Sequence, residues 1–74
     1  MRYKAGLSLI AKEAVYRMYN NSFIIGNEYI IREVDEHSQE YNVTTEHGNT
    51  LFFFTDKNID ALFYIGKREN ELWI

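Results

Sequence analysis

Between residues 23 and 54 the chain contains short runs in which apolar and polar residues alternate, separated by turn-forming segments. Such alternation, with a period of two, places successive side chains on opposite faces of a β-strand. The runs are Phe23–Asn27, Glu28–Val34, Tyr41–Thr45 and Leu51–Phe54. Because the intervening segments are short, the pattern predicts an antiparallel meander around which the other residues pack.

The best strand of the meander is predicted at residues 28–35. Tyr29 and Ile31 share one face of it, whereas Ile30, Arg32 and Val34 share the other. Since both faces carry apolar side chains, we expect a β-bulge or a strong bend that moves Val34 to the face of Tyr29.

The segments around the later strands are predicted from turn residues and apolar content. The polar residues 35–40 are expected to form a loop, and residues 47–49 a hairpin turn in which Gly48 is free to adopt a positive φ. Leu51–Phe54 is heavily apolar, which predicts a strand covered on both faces.

The first 21 residues fit two patterns. Tyr3, Ala5, Leu7 and Leu9 alternate with polar or small residues, which indicates a strand, whereas an apolar stripe spaced by three and four residues indicates a helix. The prediction combines both, with a strand over about residues 3–10 and a helix over about residues 11–20.

A brief helix is predicted after the meander. Thr55 or Asp56 can cap it, and Ile59, Leu62 and Phe63 have helical spacing. A short extended piece, residues 64–65, follows. The expected core of the whole domain is Leu9, Ile31, Val34, Tyr41, Val43, Leu51, Phe53, Ile59 and Leu62.

Chain length and composition predict one small domain over residues 1–74. A chain of 74 residues buries a limited core, and five Phe, six Tyr and one Trp are expected to supply much of its buried area. There is no Cys, which excludes disulfides and thiolate metal sites. No signal-peptide pattern opens the chain and no apolar run approaches the roughly 20 residues of a membrane span, so a soluble cytoplasmic protein is expected.

The spacing of the strands resembles that of small SH3-like proteins of bacteriophages and prophages. The residues that carry the resemblance are Tyr29-x-Ile31-x-x-Val34, Tyr41-x-Val43, the turn Glu46-His47-Gly48-Asn49, and Phe53. The match covers about residues 23–66. The chain lacks the aromatic Ala-Leu-Tyr-Asp-Tyr segment of peptide-binding SH3 domains, so recognition of Pro-rich peptides is not implied.

The resulting fold prediction is mainly β: a small five-stranded SH3-like barrel with an N-terminal helical segment and a short helix before the last strand. The resemblance also implies a phage or prophage origin, with the cytoplasm of a bacterial host as the expected location.

No catalytic or metal-binding arrangement is predicted. His37 and His47 lie near Glu36, Glu40 and Glu46, but neither has a metal-binding spacing, and both are expected in solvated turns. No serine lies in a G-x-S-x-G motif, and the isolated glycines form no phosphate-binding loop. The sequence therefore predicts a non-enzymatic protein without metal or cofactor.

The first of two binding interpretations uses aromatic and acidic side chains. Tyrosine and tryptophan are frequent at the energetic centres of protein interfaces. Residues 28–46 carry six acidic residues against one basic residue, Arg32, which argues against a phosphate-binding surface there. The candidate protein-binding residues are Tyr16, Tyr19, Glu33, Asp35, Glu36, Glu40, Tyr64 and Trp73. The predicted function is a non-enzymatic protein-binding module, with a host bacterial protein as its expected partner.

The alternative interpretation is a small nucleic-acid-binding accessory protein. Arg2, Lys4, Lys12 and Arg17 make the N-terminal segment basic, and nearby tyrosines could stack on single-stranded bases. The net charge of −3 argues against nucleic acid as the main partner. A third alternative is a homo-oligomer whose assembly is itself the function. In any of these cases Trp73, beside Leu72 and Ile74, is expected to dock on the barrel or on a neighbouring subunit.

Overall fold

The computed structural model of the chain describes residues 1–19, 22–45, 48 and 50–66. The described part is mainly β, as the sequence predicts. Its elements are β1 (Ser8–Ala11), α1 (Glu13–Met18), β2 (Glu28–Asp35), β3 (Glu40–Thr44), β4 (Leu51–Phe54), α2 (Asp56–Leu62) and β5 (Phe63–Ile65). Trp73 lies outside the described residues, so its predicted docking stays a prediction.

All five strands are antiparallel and form one sheet in the order β4-β3-β2-β1-β5. The first half of β2 pairs with β1, and its second half pairs with β3. In the part of the chain that the structure describes, no ladder joins β4 to β5, so the sheet is open and these two strands are its edges.

The bulge predicted in β2 is present. Ile31 pairs with Val43, but Glu33 pairs with Asn42, the next residue along β3. Arg32 is therefore the extra residue of β2 and has no partner residue in this register. Val34 then lies opposite Tyr41, on the same face as Ile31. This confirms the prediction, and Val34 packs half-buried against the core.

The N-terminal boundaries differ from the prediction. The strand begins at Ser8 because the preceding residues form a turn, in which Gly6 has a φ of 94° and donates its N–H to the Ile31 carbonyl at 2.8 Å. The strand continues through Ala11, and Lys12 is still extended, so the helix begins only at Glu13. Ala11 was predicted in the helix, but its pairing with Phe63 of β5 places it in the strand.

The helix before β5 begins as predicted at a Thr55 cap. The Thr55 hydroxyl accepts the Asn58 backbone N–H at 3.2 Å, and the Asn58 side-chain Oδ1 accepts the Thr55 backbone N–H at 3.0 Å. This reciprocal pair satisfies donors that a helix start otherwise leaves unbonded. It directs Ile59 and Leu62 into the core.

Of the nine residues predicted in the core, six are buried, Val34 is half-buried against the core, and two are exposed. Leu9, Ile31, Tyr41, Val43, Ile59 and Leu62 are buried. Leu51 and Phe53 are instead 45% and 56% exposed, and Phe52 and Phe54 face inward. The register sets Phe54 opposite Tyr41, which shifts the buried set by one residue and leaves one face of β4 uncovered.

The first apolar run of the meander is not a strand. Phe23 is fully buried, but Ile24 and Ile25 are exposed and precede a turn in which Gly26 has a φ of 82°. The buried Tyr29 hydroxyl accepts the Ile24 N–H at 2.7 Å, which holds this segment against β2.

Two adjacent phenylalanines test the orientation of β4. Replacing the buried Phe54 by Ala should lower the free energy of unfolding by about 3–5 kcal/mol, because a large cavity forms. Phe53→Ala, one residue away on the exposed face, should cost about 1 kcal/mol or less. Equilibrium denaturant unfolding of both variants measures the difference. Equal losses, or a larger loss for Phe53→Ala, would contradict the register described here.

Candidate functional site

One surface of the sheet combines exposed apolar side chains with acidic ones. It is formed by the residues of β3, β4 and the part of β2 after the bulge that point away from the core, and we name it the outer face. Its residues are Glu33, Asp35, Glu40, Asn42, Thr44, Leu51 and Phe53.

The apolar part of the outer face lies on the edge strand. Leu51 and Phe53 are separated by one residue and therefore point to the same side of β4. Phe53 lies opposite Asn42 and Leu51 opposite Thr44. Both apolar residues were predicted in the core, so this surface was not predicted from the sequence. Four consecutive apolar residues contain no signal of which pair faces outward.

The acidic part begins two strands away. Glu33 pairs with Asn42, and the Asn42 amide donates a hydrogen bond to the Glu33 carboxylate at 3.3 Å. Phe53, Asn42 and Glu33 therefore form one row across three strands. The Asn42 side-chain Oδ1 is buried and has no hydrogen-bond partner among the described residues. The row leads directly from an exposed ring to an exposed carboxylate.

Asp35 has a structural task in the β2–β3 turn. Its carboxylate accepts the backbone N–H groups of His37 at 3.0 Å and Ser38 at 3.2 Å. These hydrogen bonds hold the pKa of the Asp35 carboxyl below its ordinary value, and the bond from Ser38 has the largest effect. Glu36 and Glu40 flank the turn, Glu36 exposed and Glu40 half-buried. The acidic residues proposed from the sequence are thus grouped at this end of the sheet.

A shallow depression of about 230 Å³ adjoins the outer face. Ile30, Arg32 and Thr44 belong to its lining, and Thr44 is shared with the outer face. Pockets that enclose small molecules usually have about 300–1,000 Å³. The depression is therefore smaller and more open than a typical ligand site.

The aromatic candidates are dispersed. Tyr19 is half-buried, with its ring centroid 4.7 Å from that of Phe52, so it packs against the core. Tyr16 is half-buried on α1, whereas Tyr64 is 62% exposed on the edge strand β5. The Lys12 ammonium lies 4.7 Å from the centre of the Tyr64 ring. None of these three tyrosines belongs to the outer face, and Trp73 is outside the described residues.

Most basic candidates contact groups of the same chain. Arg17 forms an ion pair with Glu13 at 2.5 Å, and Arg2 forms one with Asp60. Lys12 donates to the Asp60 backbone carbonyl at 3.0 Å. Internal carboxylates thus neutralise part of the charge that a phosphate backbone would meet.

The Arg2–Asp60 contact is part of a polar network that holds the N-terminal segment on α2. The Tyr3 hydroxyl also donates to Asp60, and the Tyr3 N–H donates to the buried Tyr41 hydroxyl at 3.0 Å. Tyr41 in turn donates to Asp56. The hydrogen bond from Tyr3, followed by that from Arg2, lowers the pKa of the Asp60 carboxyl. Burial, and then the bond to Asp56, raises the pKa of Tyr41.

Among the described residues, no group of three or more His, Asp or Glu side chains is arranged to hold a metal ion. Neither helix of the described residues has the length and apolar character needed to cross a membrane.

Comparison of the chain with models of protein families, with curated proteins and with solved structures finds no match.

The network at Asp60 should make stability depend on acid. A carboxyl whose pKa is lower in the folded state stabilises the fold above its unfolded pKa of about 3.9 and loses that contribution as pH falls through its folded value. The free energy of unfolding of the parent protein should therefore fall more steeply below about pH 4 than that of Asp60→Asn. Denaturant unfolding at a series of pH values measures both slopes.

A matched control removes the hydroxyl of Tyr3, which donates a hydrogen bond to Asp60. Tyr3→Phe keeps the ring but removes the hydroxyl, so it should reduce the same acid-dependent loss. Identical slopes in the parent and Asp60→Asn would show that Asp60 does not contribute through ionisation.

Proposed function

We propose that this chain is a non-enzymatic protein-binding module that uses its outer face to bind a partner with apolar and basic side chains. The observation that carries the proposal is the exposure of Leu51 and Phe53 on the same face of the sheet as Glu33 and Glu40. Protein interfaces commonly have an apolar centre and a polar rim. Complementary charge at such a rim accelerates association and selects the partner.

The proposed fold family is an SH3-like barrel. Its support is the chain order of the elements: a meander of β2, β3 and β4, a short helix, and a last strand that pairs with β1. The division of β2 between two neighbouring strands also fits a strongly curved sheet. The sequence resemblance supports a phage or prophage origin, and with it a partner in the cytoplasm of a bacterial host.

Substitutions on the outer face test the proposal. Phe53→Ser should abolish capture of specific proteins from a bacterial lysate, because it removes the apolar centre of the interface. Glu33→Gln, Glu36→Gln and Glu40→Gln together should weaken capture and reduce its salt dependence, since steering by charge is lost. Asp35 is left unchanged because it holds the turn. Affinity capture with quantitative mass spectrometry measures both effects.

The matched control is Ile25→Ser, which removes an exposed apolar side chain outside the outer face. It should leave capture intact, and thermal unfolding should show that all variants remain folded. A set of captured proteins that Phe53→Ser leaves unchanged would contradict the proposal.

A further inference from the structure

The edge strand β4 has an open hydrogen-bonding side. The Thr45 N–H donates to the Thr50 carbonyl at 3.0 Å, and in an antiparallel ladder hydrogen-bonded pairs alternate with non-bonded pairs. Phe52 and Phe54 therefore direct their backbone groups toward β3. Leu51 and Phe53 direct theirs away from it, to a side with which no strand pairs in the described part of the chain.

This edge also lacks the features that keep edge strands apart. Soluble proteins commonly protect a free edge with a charged residue, a proline or a bulge. Leu51–Phe54 has no charge and no proline, and its ladder with β3 has no register shift. On the inner face Phe52 remains half-buried, although it packs against the Tyr19 ring. Both the backbone and the inner layer are thus incomplete at β4.

We propose that β4 pairs antiparallel with β4 of a second copy of this chain, about a two-fold axis at Phe52. In this register Leu51 lies opposite Phe53 of the second copy and exchanges both backbone hydrogen bonds with it, and the axis makes the same pair twice. Phe52 faces its counterpart across the axis, which covers its exposed side. No charged side chains face each other along the paired strands, because Leu51–Phe54 contains none.

A competing register about Phe53 is less favourable. It would set Leu51 opposite Thr55 of the second copy, but the Thr55 N–H already donates to Asn58 in the helix cap. That pair would lose a hydrogen bond or break the cap. The self-complementary register about Phe52 uses only backbone groups that are open in one copy.

The dimer goes beyond the proposed function and leaves it intact. In a continued sheet Leu51 and Phe53 of both copies form one apolar stripe on the outer face, and the acidic β2–β3 turns lie on its two sides. A standard protein interface buries about 1,600 Å², and a strand of four residues buries less. The association should therefore be weak and depend on protein concentration.

Sedimentation velocity of the full chain from about 1 µM to 1 mM tests the proposal. The dimer fraction should rise with concentration and persist at high salt, since the contact is apolar. Phe53→Ser should make the protein monomeric over the whole range, whereas Tyr64→Ser on the opposite edge should not. A chain that stays monomeric would overturn the proposal, and β4 would then be open to residues 67–74 or to another protein. A dimer unaffected by Phe53→Ser would also overturn it.

Single cysteines test the register, because the chain has none of its own. Hydrogen-bonded antiparallel pairs have Cα atoms about 5.5 Å apart, which a disulfide can span. Oxidation of Leu51→Cys mixed with Phe53→Cys should therefore yield the mixed disulfide faster than either variant alone yields a homodimer. Equal rates in all three samples would exclude the proposed pairing. Salt-sensitive capture of another protein by a monomeric chain would overturn the dimer while leaving the proposed function standing.

Discussion

The ring of Phe23 is the contact on which the rest of the fold depends. It is completely buried, and five aromatic rings surround it with centroid distances of 4.9–6.1 Å, those of Tyr19, Tyr29, Phe52, Phe54 and Phe63. These rings come from the end of α1, from β2, β4 and β5, so one side chain joins most layers of the domain. Aromatic pairs contribute about 0.5–1.5 kcal/mol each beyond their buried area. For a chain of 74 residues, whose core is small, such a cluster is a large share of the stability.

The position of Phe23 also explains why its segment could not be a strand. The ring must enter the core from the connection between α1 and β2, and the Tyr29 hydroxyl fixes the next residue by accepting the Ile24 N–H. Tyr41 acts similarly at the other side of the core, where its hydroxyl joins the Tyr3 backbone to Asp56. Both tyrosines therefore use their rings for burial and their hydroxyls to hold irregular segments that a hydrophobic core alone would not position.

The sequence was informative where polar residues mark the two faces of a strand. In β2 and β3 the alternation around Tyr29, Ile31 and Val43 predicted the buried side and even the bulge, because Val34 would otherwise point away from the core. In β4 every residue is apolar, so the pattern could not distinguish Phe53 from Phe54, and only pairing with Tyr41 decides. The candidate site was lost by the same ambiguity: its acidic residues were found, but Leu51 and Phe53 were assigned to the core.

Among the described residues, most of the inner face of this sheet is already covered, and the half-buried Phe52 at the β4 edge is the exception. The side chains of the inner face pack in the aromatic cluster, with Leu9 and Val43 at the centre, and against Ile59 and Leu62 of α2. Any partner must therefore meet the outer face or an edge, where backbone groups and exposed rings remain. The two edges differ chemically, because Lys12 lies over the exposed ring of Tyr64 on β5, whereas β4 presents only apolar side chains. A strand added at β4 would lie beside uncharged, apolar residues along its whole length. A strand added at β5 would instead lie close to the Lys12 ammonium. The contrast between a largely covered inner face and an open, uncharged edge follows from one register, the pairing of Phe54 with Tyr41.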